Sequence, residues 1–204
     1  MGLMKSRPEA APAPLHRDRE ALLQALASAS PAQRAEAAGF LADYPDSANA
    51  LLVELANETD SAVRRRILST LVSWRELAPI AALVARLRTV DGVARNEIMD
   101  ALRDVGDVVE PELPSLLAAA DPDLRLYALT VLRPHRSERV LGWIADVLAH
   151  EPDANVVAAA LELLAQIGSP AEHGWLDAPR TRFGAVPFIQ FAIAAVARRA
   201  GPAS

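Results

Sequence analysis

The sequence predicts an all-α protein, an α-solenoid of about five to six stacked two-helix repeats, on three observations. Similar stretches recur at intervals of about 30 residues, and they begin at Ser30, Asp60, Asp91, Asp121 and Asp153. The eleventh residue after each start is a leucine without exception, namely Leu41, Leu71, Leu102, Leu132 and Leu164. Hydrophobic residues make up 51% of the chain and aromatic residues only 4%, a balance typical of closely packed helices.

The first helix of each repeat is predicted to begin at the repeat start. Ser and Asp are preferred N-caps because their side-chain oxygens accept hydrogen bonds from the free N–H groups of the first turn. Apolar residues at seven, eight and eleven positions after the start then share one helical face. Gly106 and Gly168 both lie fifteen residues after a start, where we expect a helix to end in the left-handed conformation.

A second apolar segment follows the first helix in four of the copies. Its spaced pairs are Leu51/Leu55, Leu83/Leu87, Leu113/Leu117 and Ile144/Leu148. Each unit is therefore expected to be two short antiparallel helices. Neither helix can bury its apolar stripe alone, so the units must stack on one another.

The repeats are predicted to form one domain over residues 14–200, preceded by a flexible Pro/Ala-rich tail at 1–13. An extra helix at 15–28 is expected to cap the front of the stack, and a helix at 186–200 to close the back. The closing helix is rich in aromatic and apolar residues, with Phe188 and Phe191 close together. Two interpretations of it stay open: a packed end cap, or a face that joins a second copy or a partner.

Composition and motifs exclude several classes of function. The chain has no Cys, which excludes a disulfide framework, a thiol nucleophile and a thiolate metal site. Its formal charge of −5 disfavours binding to nucleic acid and to anionic membranes. Without a membrane-spanning run or a secretory signal, a cytoplasmic location is expected.

No catalytic or cofactor-binding motif is present. The glycines form no phosphate-binding loop and no nucleophile elbow, so we predict no catalytic residues and no cofactor. No metal site is predicted, because the four histidines never fall at ligand spacing. These histidines are His16, His135, His150 and His173.

The stretches "DPDLRLYALTVL", "ETDSAVRRRILSTL" and "EPELPSLLAAADPDLR" resemble HEAT repeats. More narrowly, they are similar to the short HEAT-like repeats of bilin lyase subunits in the phycobiliprotein pathway. The resemblance covers roughly residues 30–178, with Ser30 and Val157 departing from the Asp and Arg of the pattern. It implies a right-handed superhelix whose second helices line a concave face that binds protein, or less often DNA or a chromophore.

An Arg follows the starting Asp by four residues in three central repeats. The pairs are Asp60/Arg64, Asp91/Arg95 and Asp121/Arg125. One such pair could be a catalytic couple or an anion site, but recurrence favours architecture. We expect each Arg to bond its own Asp or that of the next repeat, which would tie successive loops together.

The second helix of the fourth repeat carries the predicted contact patch. Trp143, Asp146 and His150 fall on the side opposite its apolar stripe, and Trp is common at binding hot spots. The alternative is that Trp143 packs against a neighbouring repeat. Arg86, in the basic stretch 60–95, and Glu112, in the acidic stretch 96–123, are further candidates if these charges form a bipolar docking surface rather than solvated faces.

These features favour a non-catalytic protein–protein interaction module, a scaffold or adaptor, that binds a protein partner on the concave face. The resemblance leaves two enzymatic alternatives: a bilin lyase-like subunit, and a DNA glycosylase built from HEAT-like helices, which the acidic chain disfavours. Assembly of copies through the C-terminal helix is a third possibility.

Overall fold

A computed structural model describes residues 18–132 and 137–199, and all regular structure in these ranges is helical. The predicted tail at 1–13, His16 and His135 lie outside the described residues. The helices are α1 (Arg19–Ala25), α2 (Pro31–Phe40), α3 (Ala48–Asn57), α4 (Ser61–Ser73), α5 (Ile80–Arg86), α6 (Gly92–Val105), α7 (Leu113–Leu117), α8 (Pro122–Val131), α9 (Glu138–His150), α10 (Ala154–Ile167), α11 (Asp177–Arg182) and α12 (Pro187–Arg199). Short 3₁₀ turns join several of them.

The described chain divides into two compact units. Unit 1 contains residues 18–79 and 92–97, and unit 2 contains residues 80–91 and 98–199. The prediction of a single domain over 14–200 stays a prediction.

Unit 1 is a stack of helix pairs. Helix α4 packs beside α2, α3 packs on α4, and α1 packs on α2. Two side-chain hydrogen bonds fix α4 against the preceding repeat: the Thr70 hydroxyl donates to the Ala38 carbonyl oxygen at 2.8 Å, and the Trp74 indole N–H donates to that of Ala42 at 2.8 Å. The second bond satisfies the single donor of a buried Trp.

Unit 2 repeats the same arrangement. Helices α8, α10 and α12 pack in a row, α9 packs on α10, and α11 packs on α9. The Tyr127 hydroxyl donates to the Met99 carbonyl oxygen at 3.0 Å, and burial raises the pKa of this phenol. The predicted all-α fold of stacked helix pairs is confirmed in both units.

The predicted helix starts are N-caps where the start is Asp60, Asp121 or Asp153. The Asp60 carboxylate accepts from the N–H groups of Ala62 and Val63 at 2.8 and 3.2 Å, and the other two cap their helices likewise. Ser30 precedes α2, but its side chain makes no capping hydrogen bond, so this part of the prediction is wrong.

The leucine column is the centre of each unit's core. All five of its members are buried, with at most 1% of their surface exposed: Leu41, Leu71, Leu102, Leu132 and Leu164. Such complete burial explains why each position holds a large aliphatic residue.

A helix ends close to the position fifteen residues after a repeat start, and the backbone there adopts one of two conformations. Gly106 has a φ of 74°, as predicted, and Arg75 occupies the equivalent left-handed position with a φ of 54° at an intrinsic cost of about 1–2 kcal/mol. Gly168 instead is extended, with a φ of −75° and a ψ of 170°, so the left-handed prediction is wrong there. Glycine is still required, because a Cβ would lie 2.6 Å from the Leu164 carbonyl oxygen.

Candidate functional site: a groove beside α9

An open groove of about 790 Å³ lies in unit 2 beside helix α9. Its lining combines apolar and small residues with a few polar groups. These residues are Pro114, Leu117, Ala118, Ala119, Ala120, Arg125, Trp143, Asp146, Val147, His150, Glu151 and Pro152. The volume falls within the range of typical ligand sites, roughly 300–1,000 Å³.

The sequence of α9 determines which of its sides faces this groove. The Ser137 hydroxyl caps the helix by accepting from the Val140 N–H at 3.2 Å. Val140, Ile144 and Leu148 recur at four-residue spacing and are fully buried in unit 2. The opposite side of α9 is therefore left at the surface.

Trp143, Asp146 and His150 lie on that side and all line the groove. Trp143 is half-buried, while Asp146 and His150 are exposed. His150 Nδ1 lies 3.0 Å from the Asp146 carbonyl oxygen. Because a carbonyl only accepts, neutral His150 carries its proton on Nδ1 and leaves Nε2 as an acceptor.

An ion pair between Arg125 and Glu151 forms one wall of the groove. Arg125 Nε and Nη2 donate to the two Glu151 carboxylate oxygens, both at 2.8 Å, and Nη1 donates to the carbonyl oxygens of Ala119 and Ala120. The Glu151 side chain is only 4% exposed, and it also accepts from the Asp153 N–H at 2.9 Å. The pair therefore ties the loop before α8 to the loop before α10.

Unit 1 contains two ion pairs of the same construction. Arg34 donates to Glu58 at 2.7 and 2.9 Å, and Arg64 donates to Glu97 at 2.6 and 3.2 Å. Each Arg also bonds carbonyl oxygens of the loop before its own helix. The sequence predicted an Asp as the carboxylate partner, and in all three cases the bidentate partner is a Glu instead. A Glu reaches further than an Asp, and Glu58 and Glu151 also accept from the N–H of the capping Asp two residues later.

The other predicted residues are not among those that line the groove. Asp91 is exposed, and Arg95 is half-buried in unit 1. Arg86 and Glu112 are half-buried in unit 2, and neither belongs to the groove lining. The Nε of Arg86 is buried without a hydrogen-bond partner among the described residues.

Sequence reasoning missed the groove's apolar floor. Pro114, Leu117 and Val147 carry no signal of their own, because each fits the general pattern of a helix or a turn. Pro152, between Glu151 and the capping Asp153, also reads as a loop residue. Only the tertiary arrangement of unit 2 brings these residues to one surface.

A smaller cavity of about 210 Å³ lies beside the Arg34–Glu58 pair of unit 1 and allows an internal comparison. By repeat position, Ala50, Val53 and Asn57 replace Trp143, Asp146 and His150. Only Asn57 of these three lines the smaller cavity. The ion pair is thus a shared feature, whereas the Trp–Asp–His set belongs to the unit 2 groove.

The Arg34–Glu58 pair gives folding a defined pH dependence. The hydrogen bonds from Arg34 are the main reason that the pKa of Glu58 lies below its ordinary value of 4.5, with a further contribution from the Asp60 N–H. The unfolded chain therefore takes up this proton at a higher pH than the folded one. The stabilisation is present above the unfolded pKa and is lost as pH falls through the folded pKa.

We expect Glu58→Gln to flatten the acid side of the stability curve. Urea unfolding of the wild type and the variant, measured from pH 7 down to about 2, checks this. The exposed Glu76→Gln in the same unit is the control and should keep the wild-type slope. Parallel curves for wild type and Glu58→Gln would contradict the assignment.

The fold defines the class of protein as an all-α repeat protein of stacked helix pairs. Residues 19–103 match the family model of HEAT repeats. No curated protein is similar enough to the chain to count as a match. Two solved structures, both engineered proteins from a structural genomics consortium, are similar at 22% and 23% identity, each with a TM-score of 0.42.

The matched regions cover 89% and 90% of this chain. They cover 57% of the first engineered protein and 96% of the second, so the chain spans little more than half of the first. Among the described residues, no helix is both long and apolar enough to cross a membrane.

Proposed function

We propose that the chain is a non-catalytic protein-interaction module, a scaffold or adaptor, that binds a segment of a protein partner in the unit 2 groove. The observation that carries this proposal is the open groove lined by Trp143. HEAT repeats generally mediate protein interactions, and the match over residues 19–103 supports that class of function.

The form of the groove suits a peptide segment. It is open to solvent along α9, and its apolar residues, Pro114, Leu117 and Val147, provide surface to bury. Asp146 and His150 add polar groups that can fix the orientation of a bound chain. Trp143 offers the large, rigid contact area that hot-spot residues share.

The distribution of features over the repeats favours binding over catalysis at this site. The Arg125–Glu151 pair has counterparts in Arg34–Glu58 and Arg64–Glu97, which favours a structural role for it. What distinguishes the groove is an aromatic ring, a carboxylate and an imidazole spaced along one helix.

Replacing Trp143 with Ala is expected to weaken partner binding by about tenfold or more. Affinity capture from the native host, with mass spectrometry and then titration of the recovered partner, measures this. Trp175→Ala is the matched control, because Trp175 is also half-buried in unit 2 but does not line the groove.

A second variant distinguishes loss of the binding site from misfolding of Trp143→Ala. Ala118 is an exposed alanine of the lining, so Ala118→Gln narrows the groove without removing any packing. Both groove variants should lose the partner that wild type and Trp175→Ala retain. A partner held equally by all four proteins would refute the groove as its binding site.

The resemblance to bilin lyase subunits supports a second candidate, a bilin-binding lyase or chaperone subunit. The groove is large enough for a ligand of that size, and its aromatic and apolar walls suit a conjugated ring system. Titration with a free bilin tests this, and an absorbance spectrum unchanged on mixing would count against it.

Assembly through the C-terminal helix is a separate proposal. Phe188 and Phe191 on α12 are 48% and 70% exposed, while Ile189 and Ile193 face the core. Light scattering tests this, and a monomer at high protein concentration would refute assembly through α12. We also propose a cytoplasmic location, which fractionation of the host tests.

A further inference from the structure

The charges of the unit 2 groove do not cancel. Arg125 and Glu151 neutralise each other within their bidentate pair. Among the described side chains, none forms an ion pair with Asp146, which is exposed at the groove. The groove therefore presents one uncompensated negative charge to its occupant.

The nearby arginines are engaged elsewhere. Arg139, on the same helix, lies 3.6 Å from Glu110, and neither residue lines the groove. Arg182 donates to the carbonyl oxygens of Leu148 and Ala149 at the end of α9 and lies 5.2 Å from the centre of the Phe183 ring. Neither cation is placed to neutralise Asp146.

The groups around Asp146 are also of the kind that attracts a cation. The ring of Trp143, one helical turn before it, has an electron-rich face that binds ammonium and guanidinium groups. One turn after it, His150 in its neutral form offers Nε2 as a hydrogen-bond acceptor, because Nδ1 donates to the Asp146 carbonyl oxygen. Ring face, carboxylate and acceptor thus follow one another along the same side of α9.

The cavity of unit 1 has no aromatic ring in its lining, although Glu54 adds a carboxylate there beside the Arg34–Glu58 pair. The positions that correspond to Trp143, Asp146 and His150 are Ala50, Val53 and Asn57, which offer neither an aromatic face nor a carboxylate. The cation-attracting set is therefore not part of the repeat architecture.

We propose that the groove selects a partner peptide that inserts a lysine or arginine side chain between Trp143 and Asp146, with aliphatic neighbours on Leu117 and Val147. This rests on the proposed function, since it names the chemistry of the segment that the groove binds. The cationic head contacts the Trp143 ring and the Asp146 carboxylate. Its flanking residues bury against the apolar floor of the groove.

The test uses the full chain and an array of synthetic nonapeptides with identical aliphatic-rich flanks. The central residue is Arg, Lys, citrulline or Glu, and citrulline keeps the shape of Arg without its charge. Each array is probed with wild type, Asp146→Asn and Asp123→Asn, and binders are titrated by fluorescence anisotropy at low and high salt. Asp123 is an exposed aspartate of unit 2 outside the groove, so its variant makes the same charge change elsewhere.

We expect wild type and Asp123→Asn to bind Arg- and Lys-centred peptides about tenfold more tightly than citrulline-centred ones. Asp146→Asn should reduce that preference to about threefold or less, and high salt should reduce it in wild type. A preference that Asp146→Asn leaves unchanged, or equal binding of Arg and citrulline peptides, overturns the inference.

Failure of every peptide to bind also overturns it. The proposed function is judged separately, because the Trp143 and Ala118 variants report on the native partner whatever its charge. If the native partner no longer binds Trp143→Ala but binds Asp146→Asn as tightly as wild type, the proposed function stands. The proposal that a Lys or Arg side chain inserts beside Asp146 is then refuted.

Discussion

Leu71→Ala is expected to lower the free energy of unfolding of unit 1 by about 3–5 kcal/mol. Leu71 is completely buried on α4, in the column that all five repeats share. The substitution loses the transfer free energy of the deleted carbons and leaves a cavity that the packed neighbouring helices can only partly fill. Chemical denaturation followed by circular dichroism measures the change.

The chain supplies a control with the same chemistry. Leu77 is a leucine of unit 1 that is 69% exposed, so Leu77→Ala removes the same atoms without opening a cavity and should cost less than about 0.5 kcal/mol. Both variants need probes that report on each unit, because stacked repeats do not always unfold in a single transition. Similar losses in the two variants would mean that the column is not the core.

The leucine column was predictable because its information is local and repeated. A helix that begins at a capping Asp has a fixed phase, so the residue eleven positions later always points to the same side. Five copies of one phase make the buried face evident without any knowledge of its neighbours. The first helices of the five repeats each begin one residue after the predicted start, whereas the front helix, predicted at 15–28, is described only over Arg19–Ala25.

The carboxylate partners of the arginines were not predictable in the same way. Arg34, Arg64 and Arg125 bond glutamates that lie 24, 33 and 26 residues further along the chain, so no single spacing identifies them. Two of these glutamates precede a capping Asp by two residues, whereas Glu97 lies within α6. Which carboxylate an Arg reaches depends on how successive repeats pack, and a repeat register does not contain that information.

The groove, too, could be predicted from the sequence only in part. The side of α9 that carries Trp143, Asp146 and His150 follows from the helical period, since Val140, Ile144 and Leu148 fix the buried side. The part of the apolar floor formed by Pro114 and Leu117 depends on where α7 lies in unit 2. Sequence reasoning could therefore identify one wall of the groove but not its depth.

Arg125→Ala is expected to lower the free energy of unfolding of unit 2 by about 3 kcal/mol. The Arg125 side chain is 14% exposed and that of Glu151 only 4%, so the pair is largely removed from solvent. Removing the Arg leaves a buried carboxylate without its counter-ion and frees the carbonyl oxygens of Ala119 and Ala120. An exposed ion pair is worth roughly 0–1 kcal/mol, and the burial of this pair is the reason for the larger value.

Arg103→Ala is the matched control in the same unit. Arg103 pairs with Asp100 three residues earlier, and these side chains are 39% and 71% exposed, so its loss should cost less than about 1 kcal/mol. The double variant Arg125→Ala/Glu151→Gln separates the two contributions, because it removes the stranded charge as well as the Arg. If unpaired charge causes most of the loss, the double variant should regain stability over Arg125→Ala. If both variants are equally unstable, the lost hydrogen bonds of Arg125, including those to the carbonyls of Ala119 and Ala120, cause most of the loss.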